Sequence, residues 1–198
     1  SVVFNTESIY YYKNDSRYRE YVRSAENIFL DGSALVWVAR LFGYSMSRYH
    51  GPDLLDDLER LSLLERAIVV GGGPSNKSLK EQHAIAEWVP LPFSDDIAFL
   101  TQKVIEGTSC EENIVIVSLG LLKQELVCAG LARMGFGGTG ALFLPLGAAI
   151  DFRTGAKVRS GYFWQKIGFE WLPRLIREPR MMYRLARSFR ALFYLKRL

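Results

Sequence analysis

The sequence predicts an α/β fold: a Rossmann-like, mostly parallel sheet with helices on both faces, plus a C-terminal helical appendage. Three observations carry this. Short apolar runs alternate with helical patterns of roughly 10–15 residues, the rhythm of strand–helix–strand units that build parallel sheets. Most of those runs stop at glycine or at Asp-Gly, residues that turn the chain out of a strand. The charge is divided: from Lys157 onward there are eleven Lys and Arg against two Glu, a net +9, whereas residues 1–156 hold fourteen against nineteen acids, a net −5. The boundaries follow as a core over 1–156 and a basic appendage over 157–198.

The elements take their places in order. Val2–Phe4 is a short buried strand ending at Asn5 and Thr6. Asn14 or Asp15 caps a helix that runs to about residue 26, with Tyr18, Tyr21 and Val22 on one face. Ile28–Leu30 is a second strand, stopped by Asp31-Gly32, and Ser33 starts an apolar helix reaching about Phe42. His50-Gly51-Pro52-Asp53 opens another helix, with proline suited to its first turn. Residues 67–70 form a third strand, followed by Gly71, Gly72, Gly73 and Pro74 and a polar helix start at Ser75. The stretch 88–96, holding Pro90 and Pro92, is loop or an edge strand, and a helix follows over 95–106. Ile114–Ser118 is the clearest central strand; it ends at Gly120 and leads to a helix carrying Lys123, Gln124 and Glu125. Residues 141–144 make a last strand, closing at Gly147.

Composition narrows the class. A chain of 198 residues that is 49% apolar buries one substantial core. Cys110 and Cys128 lack any CxxC spacing and are read as reduced, intracellular thiols. With His50 and His83 isolated, no Cys/His zinc site is expected. The longest apolar candidate, residues 137–150, falls short of the roughly 20 residues a spanning helix needs. No basic-then-apolar leader opens the sequence, so membrane contact is expected to be peripheral, from the cytoplasmic side.

The appendage offers the means. On a helical wheel Arg180, Arg184 and Arg187 share one face, with Arg190 at its edge, opposite Met182, Leu185, Phe189, Leu192 and Phe193. Such a helix can rest on an anionic membrane surface, apolar side inward to lipid. Equally, it can pack on the core and leave its basic face in solvent. A nucleic-acid stripe is not expected, because the aromatics sit apart from the arginines instead of alternating with them. No full dinucleotide fingerprint supports an oxidoreductase.

In open parallel sheets, ligands bind beyond the carboxyl ends of the strands. Four predicted strand ends carry suitable residues: Asp31 with Gly32; Gly71, Gly72 and Gly73; Gly120 with Gln124; Gly147 with Asp151. Glycine lets a backbone approach a ligand, and helix N-termini favour phosphate; a plain turn would look the same. Asp31 projects where a carboxylate can take a proton from an acceptor hydroxyl, or else caps the following helix. No D-x-D pair occurs, which points to arginines and backbone amides, not a metal, as neutralisers of a diphosphate.

An ordered set of short motifs then resembles a known family. It comprises Asn5; Asp31-Gly32 with Trp37 and Arg40-Leu41-Phe42-Gly43; Gly51-Pro52-Asp53-Leu54-Leu55; Lys123-Gln124-Glu125; Gly147 through Asp151-Phe152 with Gly155; and Gln165, Gly168, Glu170-Trp171-Leu172, Arg174 and Glu178-Pro179. Together these are similar to the WecG/TagA/CpsF family, glycosyltransferase family 26, over nearly the whole chain. The resemblance implies metal-independent, inverting transfer of a sugar from a UDP-sugar, with no cofactor. The sugar would be of the N-acetylmannosamine, N-acetylmannosaminuronic acid or glucuronic acid type. The acceptor would be a polyprenyl-diphosphate-linked saccharide at the inner face of the cell membrane, and homo-oligomerisation stays open.

By position it implies Asp31 as base and Gln124 near the donor sugar or acceptor. It places Asp151 near the ribose, and Arg174 and Arg184 facing the diphosphate. Asn5, Gly32, Asp53, Gly71, Gly72, Gly120, Lys123, Glu125 and Gly147 complete the expected substrate-binding set. The sequence departs from the family pattern in several places: Val3 replaces a threonine, His50 the threonine of a Thr-Gly-x-Asp element, Leu122 the proline before Lys123, and Met181 an arginine. An expected Arg-Ala-Pro reads Arg159-Ser160-Gly161, and the stretch between Gly73 and Ile114 is shorter than usual, without a recognisable Gly-Tyr-Phe segment. A non-catalytic member that binds a nucleotide-sugar or lipid in an assembly complex is the alternative those differences raise.

Overall fold

The computed structural model describes residues 1–157, other than Phe42, Met46, His83 and Cys110, together with 182, 183, 186–188, 190 and 191. Among the described residues six strands and eight α-helices follow in order: β1 Val2–Phe4, α1 Thr6–Asn14, α2 Ser16–Ser24, β2 Ile28–Leu30, α3 Ser33–Leu41, α4 Gly51–Arg60, β3 Ala67–Gly71, α5 Asn76–Glu81, β4 Glu87–Val89, α6 Ile97–Gly107, β5 Ile114–Ser118, α7 Lys123–Arg133, β6 Leu142–Pro145 and α8 Ala149–Arg153. The strands form a four-stranded sheet, β4-β3-β5-β6, and a two-stranded sheet, β1-β2. Every pairing is parallel, with Ile116 of β5 opposite both Val69 of β3 and Leu144 of β6. The Ser1 nitrogen donates to the Phe143 carbonyl at 3.1 Å, which sets β1 beside β6.

The central strands are apolar on both faces because both faces are covered. Ile68, Val70, Val115 and Val117 pack with Tyr18, Tyr21 and Val22 of α2, Leu100 and Val104 of α6, and Val127 and Leu131 of α7. Their alternates, Ala67, Val69, Ile114 and Ile116, pack on the other face with Leu55 and Leu58 of α4, Leu79 of α5, and Ala149 and Ile150 of α8. Each fully buried valine or isoleucine contributes about 1.5–3 kcal/mol of transfer free energy. Cys128 lies in this core as a free, fully buried thiol, and burial pushes its pKa up.

Local chemistry sets the helix boundaries. Asp15 caps α2, its carboxylate accepting from the Arg17 and Tyr18 amides at 2.9 and 3.1 Å, as the sequence predicts. Asp96 caps α6 through the Phe99 amide at 3.0 Å. α1 is the element the hydrophobic pattern does not announce. Asn5 caps it reciprocally: the Asn5 side chain accepts from the Ser8 amide, and the Ser8 hydroxyl accepts from the Asn5 amide. The stretch expected as loop or edge strand contains a true edge strand, β4. The inward carboxylate of its Glu87 is satisfied by the Ser109 amide and hydroxyl at 2.8 and 2.6 Å.

All six strands run the same way, so their carboxyl ends make one rim. The opposite rim carries the connections 108–113 and a glycine turn, 135–140, before β6. Of the appendage, residues 182, 183, 186–188, 190 and 191 are helical. Ala191 is fully buried against Ile9 of α1 and Leu35 of α3. Arg174, Arg184 and most of the predicted apolar face (Leu185, Phe189, Leu192 and Phe193) lie outside the described residues. Among the described residues no helix is long and apolar enough to cross a membrane.

Candidate active site

A cavity of about 640 Å³ opens along the carboxyl rim. Each strand contributes the residues at or just beyond its end: Asn5 from β1, Asp31 from β2, Gly72 from β3, Phe93 and Ser94 beyond β4, Ser118 to Leu121 from β5, and Leu146 and Gly147 from β6. Lys123 and Gln124 of α7, Asp151 of α8, Lys157 and Arg187 complete the walls. Of the residues expected from sequence, Asn5, Asp31, Gly72, Gly120, Lys123, Gln124, Gly147 and Asp151 therefore share one cavity. Gly32, Asp53, Gly71 and Glu125 stand behind or beside it.

Asp31 directly follows β2, its amide bonded to the Phe4 carbonyl at 2.9 Å. Its Oδ1 lies 2.6 Å from His50 Nδ1. The backbone delivers that histidine: the Tyr49 amide donates to the Leu30 carbonyl at 2.9 Å, the Tyr49 ring stacks on Phe29, and the His50 carbonyl accepts the first helical bond of α4 from Leu54.

Gly71 and Gly72 both take left-handed φ, +76° and +75°. At Gly72 a Cβ would sit 2.2 Å from Asn76 Nδ2, so only glycine fits. The Gly72 amide is held by the Ser118 carbonyl at 3.0 Å, and the Gly71 carbonyl accepts from Trp88 Nε1 and Asn76 Nδ2. Across the cavity, Ser118 Oγ donates to the Gly147 carbonyl at 2.7 Å, joining the β5 and β6 ends.

The start of α7 is the most constrained part of the wall. Glu125 is fully buried; its carboxylate accepts from the Leu122 amide at 2.7 Å and from Gln124 Nε2 at 2.8 Å. Burial pushes the Glu125 carboxyl up to about 7. Leu122 has φ +76°, a strained conformation for a branched side chain. A proline there could neither adopt that φ nor supply the bonded N–H, so the departure at Leu122 goes with the backbone this loop uses. Gln124 Oε1 is buried, with no partner among the described residues, on a side chain that lines the cavity. A buried carbonyl left unbonded is a ready acceptor for a ligand hydroxyl.

Charges divide along the cavity. Lys123 Nζ is committed to the Ser94 carbonyl at 2.8 Å and Asp95 at 2.5 Å, beneath the Phe93 ring. It braces the loop after β4. Asp151 pairs with Lys157 at 2.7 Å. Arg187 Nη1 meets Glu7 Oε1 at 3.0 Å and also contacts the Tyr11 hydroxyl. Among the described residues no group of three His, Cys, Asp or Glu is placed to hold a metal ion.

The structure adds His50, Glu7, Phe93 and Arg187 to the site. Arg187 has a sequence signal, the basic face of the appendage. Glu7 and Phe93 have none, and His50 shows only as a substitution within a motif.

The model of the family described as "Glycosyl transferase WecG/TagA/CpsF family" matches residues 1–197. The chain belongs to that family: it is an enzyme, a glycosyltransferase of cell-surface polysaccharide synthesis. Membership implies a nucleotide-sugar donor and a lipid-linked acceptor.

Proposed function

We propose that the enzyme moves a sugar from a UDP-sugar to a polyprenyl-diphosphate-linked saccharide, with inversion and without a metal, at the inner face of the cell membrane. The donor sugar is of the N-acetylmannosamine, N-acetylmannosaminuronic acid or glucuronic acid type. The acceptor oxygen attacks the anomeric carbon as the bond from that carbon to the diphosphate oxygen breaks. The hydroxyl proton passes to the Asp31 carboxylate, and UDP leaves with the bonding electron pair. One observation carries the reading: Asp31, Gln124 and Asp151, from three separate elements, line a single cavity at the strand ends.

Each wall has a part. The unbonded Gln124 Oε1 accepts from a sugar hydroxyl, and Asp151 receives the ribose. The glycine backbone at Gly72, Gly120 and Gly147 lets the diphosphate come close, and its developing charge is met by cations preorganised around it. Arg187 and Lys157 already stand in the wall, and Arg174 and Arg184 are assigned the same task. Residues 1–156 form the catalytic core and 157–198 the lid. The described part of the lid suits that division: Arg187 faces the cavity, while Met182 and Tyr183 are exposed. A helix with arginine toward the site and Met and Tyr outward can rest its back on an anionic bilayer.

The test is release of UDP from a panel of UDP-sugars with a polyprenyl-diphosphate-saccharide acceptor. Acceptor-dependent release with inversion at the anomeric carbon is expected. Tight UDP binding with no turnover across donors and acceptors would overturn the reading.

A further inference from the structure

His50 is packed against the very carboxylate to which the reaction gives its proton. The contact is short, 2.6 Å from Nδ1 to Asp31 Oδ1, and the two side chains are unequally exposed, 12% for His50 and 35% for Asp31. Asp31 lines the cavity; His50 does not. The imidazole therefore reaches substrate only through Asp31, and cannot itself be the base.

Backbone hydrogen bonds on both sides deliver His50 to this place. The Tyr49 amide extends the hydrogen bonding of β2 by one strand-like residue, and the His50 carbonyl begins α4. The intervening backbone is extended, with φ −87° and ψ 154°. Two rigid elements thus fix the His50 backbone, from which Nδ1 meets Asp31 Oδ1.

We propose that His50 is a positioning residue for the transfer reaction, an inference that rests on the reading of Asp31 as base. The neutral imidazole carries its proton on Nδ1 and donates it to Asp31 Oδ1. That bond fixes the carboxylate plane, so the second oxygen is presented to the acceptor hydroxyl. When the substrate proton arrives on that oxygen, Oδ1 still accepts from Nδ1, so the bond survives the step and no charge is created behind the site. A cationic imidazole would instead stabilise the carboxylate and make Asp31 a poorer base. The neutral Nδ1–H tautomer is therefore the productive form.

The test pairs His50→Phe, which keeps a ring and removes the donor, with His50→Asn, whose amide can donate from a similar place. In the UDP-release assay His50→Phe is expected to lower kcat about 10²-fold, the scale of a misplaced catalytic group, with the KM for donor changed less than about twofold. His50→Asn recovers most of that loss; a structural role for the ring would not give rescue by an amide. Asp31→Asn runs alongside. If Asp31→Asn keeps full turnover, the reading of Asp31 fails; if it is inactive while His50→Phe keeps wild-type kcat, only the role of His50 falls. A second measurement is independent of turnover. Nitrogen-15 NMR of a chain with only two histidines, the His50 signals identified by their loss in His50→Phe, is expected to show protonated Nδ1 and bare Nε2. Asp31→Ala should shift that balance, and imidazole signals unmoved by Asp31→Ala would overturn the proposal.

Discussion

The Arg187 guanidinium lies 3.0 Å from the Glu7 carboxylate, joining side chains 180 residues apart in sequence. Glu7 is 4% exposed, and a carboxylate so enclosed needs a cation or hydrogen-bond donors nearby. Arg187 supplies the cation, and Ala191, one turn on, enters the core against Ile9 and Leu35. Among the described residues the appendage is thus tied to α1 at the edge of the cavity through Arg187, which meets Glu7 and Tyr11, and through the buried Ala191.

Arg187→Ala should lower stability by about 1–3 kcal/mol, below the loss for a fully enclosed pair because the arginine side chain is 34% exposed. Glu7→Gln in the same chain should relieve part of that loss. Chemical denaturation of both singles and the double closes the cycle; additive effects would mean that the pair is not coupled.

Asp31→Asn should lower kcat by about 10²–10⁴-fold while the melting temperature and UDP affinity stay near wild type. Steady-state kinetics with calorimetric UDP titration checks this. Loss of UDP affinity in place of kcat would assign Asp31 to donor binding instead.

Leu122→Pro restores the residue the family motif carries, yet it should destabilise this chain by about 3 kcal/mol or more. Proline cannot take φ +76°, and it removes the N–H that Glu125 accepts. A thermal melt at or above wild type would show that the loop has a second, proline-compatible arrangement.

Glu125 gives stability a pH dependence with an unusual sign. Its folded carboxyl titrates at about 7, raised by burial, while the unfolded chain gives up the same proton near pH 4.3. Between those values the folded state holds more protons, so this group's contribution to stability falls as pH rises and levels off above about 7. Glu125→Gln should flatten that slope. Its new amide can still accept from Leu122 and donate to Gln124 Oε1, so the fold is retained. Denaturation midpoints from pH 4.5 to 8 measure it.

Met182→Glu should weaken sedimentation with anionic vesicles by about tenfold or more, because a buried methionine is worth roughly 1.5–3 kcal/mol. UDP binding should not change. Equal sedimentation of the variant and wild type would place the lipid contact elsewhere.

The sheet was legible because its strands bury both faces. Ile114–Val117 is an uninterrupted β-branched run flanked by turn residues, and such a run has few other uses. α2 was legible from Asp15 and the spacing of Tyr18, Tyr21 and Val22. α1 was not: its buried residues, Glu7, Ser8 and Ile9, are consecutive and two are polar, so no 3.6-residue stripe marks it. The strand-end glycines and Asp31 could be found because a parallel sheet sends its carboxyl ends to one side. The Asp31–His50 contact spans 19 residues and depends on Tyr49 pairing with Leu30, a register that no local pattern encodes. Nor can a helical wheel show where Arg187 finds its partner, a glutamate at the far end of the chain.

The glycine turn at 135–140 lies on the rim away from the cavity, between α7 and β6. An affinity handle or fluorophore grafted into that turn would sit on the opposite rim from Asp31, with the length of the strands between them. Anchored to a sensor chip by that turn, the enzyme would present its mouth and its arginine-bearing arm outward, toward whatever vesicle is flowed across it.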